Sequence, residues 1–235
     1  MRRLLGRVFL PVARRLGRLF AEWTTRELVV AAVLSVAVGV VFWAWGLLFT
    51  AVFSLIPFPV QYITVGMWMM GGLLVPYVIR RPGAAFFGEV VAAFVSMVLG
   101  NQWGILTMAS GLVQGAGAEL VFAAFRWKHF EGVSLRMKHV RLASLSLGLP
   151  LWRAGSGLAF YGAAALAGVF SILLDTFVYS YYSTYSGGSI LVAAVCCVVS
   201  SVILGAMLSQ LLGEALARTG VLSGLGISKG KVKRI

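Results

Sequence analysis

Between Leu28 and Ile79 the chain runs for 52 residues without a single charged side chain. No water-soluble fold hides such a stretch, whereas a bilayer asks for it, because about 20 predominantly apolar residues cross roughly 30 Å of hydrocarbon as a helix. The run is long enough for two crossings. Pro57 and Pro59 interrupt it, and they break helical hydrogen bonding at the place where a connecting loop is needed. Composition agrees: 60% of the 235 residues are hydrophobic and only 11% are charged, against about a quarter charged in soluble domains. The net charge of +13 would suit a polyanion binder if it were spread over a wetted surface. Here it is not, so a nucleic-acid partner and a soluble enzyme are both excluded. The expected fold class is an all-α integral membrane protein.

Apolar segments predict a bundle of six helices, over residues 28–49, 63–79, 84–99, 104–125, 156–179 and 189–212. Lys and Arg collect on the cytoplasmic side of membrane proteins. All 20 basic residues fall in the segment up to Arg26, the connection Arg80–Arg81, the connection from Arg126 to Arg153, and the tail from Arg218. The alternate connections, around 50–62, 100–103 and 180–188, hold none. Both termini are therefore expected in the cytoplasm.

Three parts follow from this layout: a basic leader over 1–22, a membrane domain over 23–226 and a basic tail over 227–235. In the leader Arg7, Arg14 and Arg15 interrupt the apolar stretch, which argues against a cleavable signal. Its arginines alternate with Leu, Val and Phe as in a helix lying on anionic lipid, although Pro11 weakens one continuous helix. A disordered leader that only enforces topology is the other reading.

Motifs for soluble chemistry are missing. The sequence contains no Walker, HExxH or GxSxG pattern, so no ATP hydrolysis by this chain, no enzyme activity, no cofactor and no metal are expected. Cys196 and Cys197 are adjacent, and helical neighbours point about 100° apart, which suits neither a disulfide nor a metal site.

An ionisable group inside the bilayer is costly unless it is paired or hydrated, so each is a functional candidate. There are three, Glu89, Glu119 and Asp175, all acidic and without an intramembrane Lys or Arg. Gln114 adds an amide, and Asn101 and Gln102 lie at the outer mouth. Such an interior suits an organic cation or a donor-rich heterocycle through charge-assisted hydrogen bonds. Aromatic residues gather at the same mouth, among them Trp45, Tyr62, Trp68, Trp103, Tyr179 and Tyr182. They read either as an interfacial belt or as stacking faces for a flat cation.

Counted at about 1.5 Å per residue, Glu89 lies about 18 Å below Asn101 and Glu119 about 24 Å below Trp103, while Asp175 is near the surface. On straight helices one small ligand does not touch all three. Glu119 is then expected to be structural, pairing with Arg80 or Arg126. Ala31, Ser35 and Gly39 form a small-residue stripe on the first span. It reads equally as packing inside the bundle and as docking against a second membrane subunit.

Two adjacent spans carry a more specific pattern: Arg80-Arg81-Pro82-Gly83-Ala84-Ala85, Glu89, Gly100-Asn101, and Gly111-Leu112-Val113-Gln114-Gly115-Ala116-Gly117-Ala118-Glu119. With Asp175 and Thr219-Gly220-Val221-Leu222, it resembles the YkoE family, substrate-capture (S) components of energy-coupling factor (ECF) transporters for thiamine or its hydroxymethylpyrimidine precursor. The resemblance spans about residues 23–226. It implies a non-enzymatic six-helix subunit that captures its vitamin outside and works with a transmembrane coupling (T) subunit and ATP-binding cassette ATPases. It also favours the docking reading of Ala31, Ser35 and Gly39. The basic connection from Arg126 to Gly155 and the Arg-rich leader depart from the family pattern.

Other readings remain open: an S component for another flat heterocycle such as riboflavin, an intramembrane enzyme using Glu89 and Asp175, or a scaffold. The depth difference weighs against the enzyme, because an acid/base pair must converge on one reacting atom.

Overall fold

The structure, a computed structural model, describes residues 23–125, 136–142, 145–151, 157–178 and 184–228. The expected amphipathic leader, the tail from 229 onward, Arg126, Tyr179 and Tyr182 lie outside these residues.

Helix α1 spans Thr25–Ala51. Its start is written locally: Thr24 accepts the Glu27 N–H while the Glu27 carboxylate accepts the Thr24 N–H, a reciprocal capping box. One face, Ala31, Ser35, Val38, Gly39, Phe42 and Gly46, is buried. The opposite face carries exposed Val29, Val33, Val36 and Val40, an inside-out arrangement that suits lipid.

The second span is not one regular helix. Val60–Met69 is 3-10 helical and continues into α2, Gly71–Ile79. A 3-10 run of this length is uncommon because its hydrogen bonds are strained. Here the β-branched residues Val60, Ile63, Thr64 and Val65 weaken the α-helical alternative. A neighbouring hydroxyl stabilises the result: Ser200 Oγ accepts the Gly66 N–H at 2.8 Å and donates to the Ile63 carbonyl at 2.6 Å.

Arg80 and Gly83 both take left-handed backbone angles in the turn to α3, Ala84–Val98. Helix α4 is Leu106–Ala124 and α5 is Leu158–Val178. Between these two lies a departure from the helical expectation, an antiparallel hairpin of β1, Arg136–Leu142, and β2, Leu145–Leu151. The last span starts as α6, Gly187–Ser200, passes through a π-helical stretch, Ser201–Met207, and ends as α7, Leu208–Arg218. Among the described residues five helical segments are long and apolar enough to cross a membrane, and α3 is apolar but shorter. The segments apolar enough to cross a membrane are all helical.

Two ends can be told apart. At one end Arg81 pairs with Glu27 at 3.1 Å, Trp23 donates to the Pro82 carbonyl, and the Ile227 N–H reaches the Val78 carbonyl. At the other end Gln102 donates to the Gly46 carbonyl, and Phe58 stacks on Tyr185 with ring centroids 3.9 Å apart.

One expectation is corrected. Ala31 and Ser35 are 0% exposed, and a Cβ on Gly39 would fall 2.6 Å from Val95 Cβ on α3. The small-residue stripe of α1 therefore packs within the bundle and offers no face to a second subunit here. The spacing alone could not distinguish the two partners, because close helix contact requires the same residues in either case.

Candidate functional site

A cavity of about 220 Å³ opens among α1, the 3-10 segment, α3, α4 and α5, toward the end that lacks basic side chains. Its wall is built from helical stripes. Tyr62, Val65 and Trp68 recur every third residue, the period at which side chains line up on a 3-10 helix. Glu89, Ala93 and Ser96 do so on α3, Thr107, Gly111 and Gln114 on α4, and Ser171 and Asp175 on α5, at the three- to four-residue spacing of an α-helical face.

Glu89 is 1% exposed. One oxygen, Oε2, accepts the Gly72 N–H, where the 3-10 segment gives way to α2. The other, Oε1, has no hydrogen-bond partner among the described residues. Two glycines make this approach feasible, since a Cβ on Gly71 would lie 3.0 Å from Glu89 Oε2 and one on Gly72 3.3 Å. Asp175 Oδ2 accepts a hydrogen bond from the Tyr62 hydroxyl at 2.9 Å. Gln114 donates to Ser171 Oγ at 2.9 Å. The lining holds two carboxylates and no Lys or Arg.

Phe49, Trp68 and Trp103 form an aromatic wall: Trp68 and Trp103 meet edge to face at 5.1 Å, and Phe49 touches both at 5.5 and 5.8 Å. Asn101 stands behind it. Its carbonyl oxygen accepts from the Trp103 and Gly104 N–H groups and from the Thr107 hydroxyl, while its amide donates to Ser96. It thus shapes the turn that sets Trp103.

Of the expected residues, Glu89, Asp175, Asn101, Gln114, Trp103, Trp68 and Tyr62 line this one space. Glu119 and Trp45 are not part of its lining. Glu119 accepts the N–H groups of Gly83, Ala85 and Phe86 at the start of α3, so its service is to the backbone. Trp45 donates to the Thr64 carbonyl at 3.0 Å and packs on Phe53.

Glu89 and Asp175 both line the cavity, although they stand at different depths along their helices. Gln61, Ser96, Thr107, Ser110 and Ser171 also line it and were not among the expected residues. For Ser96, Thr107, Ser110 and Ser171 the signal is the helical spacing to Glu89, Gln114 and Asp175, while Gln61 precedes Tyr62 on the 3-10 segment. Among the described residues no group of three or more His, Cys, Asp or Glu comes together to hold a metal ion. The arrangement is suited to receiving a flat donor-bearing organic molecule, with rings to stack on and carboxylates to accept its N–H groups.

A family model described as an ABC-type cobalt transport system, permease component, matches residues 26–140. The YkoE protein of Bacillus subtilis (strain 168), whose description is HMP/thiamine permease protein, is 33% identical over 218 residues, covering 91% of this chain and 94% of that one. A crystal structure of an S-component of an ECF transporter superposes with a TM-score of 0.74 at 30% identity, over 88% of this chain and 92% of that one.

Proposed function

This chain belongs to the YkoE family and has the fold of an ECF-transporter S component, and from that premise we propose that it captures thiamine or its hydroxymethylpyrimidine precursor from outside the cell. It crosses a prokaryotic cytoplasmic membrane six times with both termini inside. It hands its ligand on with a T subunit and ATP-binding cassette ATPases, which supply the hydrolysis.

One observation carries the reading: the buried, unpartnered Glu89 Oε1 in a cavity walled by Phe49, Trp68 and Trp103. A buried acceptor left without a donor costs about 1–3 kcal/mol, and an aminopyrimidine supplies the donor on a ring flat enough to lie against the aromatic wall. An enzyme reading has the two carboxylates in its favour, but Glu89 is tied to the Gly72 N–H and Asp175 to the Tyr62 hydroxyl, so they do not form one acid/base pair.

Isothermal titration calorimetry on the detergent-purified chain, without partners or ATP, tests the proposal. Saturable one-to-one binding of thiamine or hydroxymethylpyrimidine is expected. Folded protein that binds neither would remove the proposed function, and preferential binding of riboflavin would replace its substrate.

A further inference from the structure

The two carboxylates of the cavity are held in different ways at different levels. Glu89 is tied to the Gly72 N–H and Asp175 to the Tyr62 hydroxyl. Gly72 and Tyr62 stand ten residues apart on one span, so their backbones are separated by about 15–20 Å at 1.5–2.0 Å per residue. Both side chains reach into the cavity, which shortens the distance between the acidic groups, but a single six-membered ring does not touch both. Glu89 sits where the 3-10 segment gives way to α2, at the inner limit of the space. Asp175 lies within one turn of the outer end of α5, and its partner Tyr62 packs edge-on against Phe58, which also stacks on Tyr185 at the mouth.

The surroundings differ as well. Glu89 has one oxygen occupied and one open, which is an acceptor for one N–H. Asp175 is bonded by a neutral phenol, and no Lys or Arg lines the cavity to balance its charge. A positively charged ring arriving beside it would supply that balance, whereas a neutral ligand would leave the phenol as its only counterpart.

Resting on the capture function proposed above, we infer that the site has two subsites with separate tasks. Glu89 recognises the amino group of any aminopyrimidine. Asp175, with Tyr62, selects ligands that carry a second, permanently cationic ring. Asp175 is therefore a specificity-determining residue for two-ring cationic ligands and contributes little to binding of the one-ring neutral precursor.

Calorimetry with thiamine and with hydroxymethylpyrimidine on wild type, Asp175→Asn and Asp175→Glu reads this directly. Asparagine keeps an oxygen for the Tyr62 hydroxyl and removes only the charge. Thiamine affinity is expected to fall by about tenfold or more, as when one partner of a desolvated charge pair is neutralised. Hydroxymethylpyrimidine affinity should stay within about threefold, since no charge is lost from its contacts. Asp175→Glu should recover most of the thiamine affinity. Equal losses for both ligands in Asp175→Asn, loss of binding altogether, or unchanged thiamine affinity would each overturn the division. Wild type that binds neither ligand removes the capture function itself, so the two failures are distinguishable. Hydroxymethylpyrimidine binding by Asp175→Asn also certifies that the variant is folded.

Discussion

Glu89 and Glu119 are the same residue type on facing helices, and their surroundings give them opposite duties. Glu119 closes on the N–H groups of Gly83, Ala85 and Phe86, donors that the first turn of a helix cannot satisfy itself. Glutamine in its place would turn an NH₂ toward some of those donors. Glu119→Gln is therefore expected to cost about 1–3 kcal/mol of stability, seen as a lower midpoint of thermal unfolding in detergent, while the folded fraction keeps its ligand affinity. An unchanged midpoint would show that these hydrogen bonds do not hold the turn. Glu89 has an open oxygen instead. Glu89→Gln is expected to weaken both thiamine and hydroxymethylpyrimidine by about tenfold or more, the range for a hydrogen bond to a charged acceptor. Calorimetry returning wild-type affinity for both would take Glu89 out of the site. That each carboxylate is unusual could be read in the sequence, since an acid in an apolar span is costly wherever it lies. Which one meets backbone and which meets a cavity depends on the rotation of each helix and on the Arg80–Gly83 turn, and neither leaves a mark on composition.

At the scale of elements, spans were legible because length and apolarity are one-dimensional properties. The observed α3, Ala84–Val98, and α4, Leu106–Ala124, lie within two residues of the expected 84–99 and 104–125. The second span shows the limit. Pro57 and Pro59 announced a break, yet the chain resumes at Val60 as a 3-10 helix rather than at residue 63 as an α-helix. The choice is tertiary: the hydrogen bonds of Ser200 to Gly66 and Ile63 come from the last span, more than 130 residues away. The two irregular elements also need each other sterically. A Cβ on Gly66 would lie 2.0 Å from the Ser200 carbonyl oxygen, and one on Gly205, in the π-helical stretch, 3.0 Å from the Gly66 carbonyl oxygen. Gly66→Ala therefore forces two backbones apart, at an expected cost of about 1–3 kcal/mol or more. Because Tyr62, Val65 and Trp68 line the cavity from this same element, ligand affinity should fall with stability. Loss of stability with wild-type affinity would separate the element from the site. The family pattern divides on the same lines. Gly111 packs against Ala93, Gly115 against Glu89 and Phe86, and Gly117 against Ala167, so these three glycines are contact points between helices, while Glu89, Asn101, Gln114 and Asp175 are polar members that line the cavity.

For the whole molecule, the distribution of charge becomes an argument about direction. Arg26, Arg80, Arg81 and Arg218 belong to the end where the Glu27–Arg81 pair and the terminal segment gather. The cavity belongs to the opposite half, under loops that carry no basic residue. Positive residues stay on the cytoplasmic side, so the proposed capture from outside expects the cavity to face outward. Had the basic end been the outer one, the same cavity would take ligand from the cytoplasm and the reading would reverse. Ser54 and Thr219 are both exposed and lie in connections at the two opposite ends, which makes them matched reporters. In intact cells, a membrane-impermeant maleimide is expected to label Ser54→Cys and to label Thr219→Cys only after permeabilisation. The native Cys196 and Cys197 lie within apolar α6, and Cys197 is fully buried, so wild type sets the background. The opposite labelling pattern would invert the molecule and with it the direction of capture. Labelling of both sites in intact cells would place the two connections on the same side, a topology incompatible with a single outward crossing by α1 and a return by the last span.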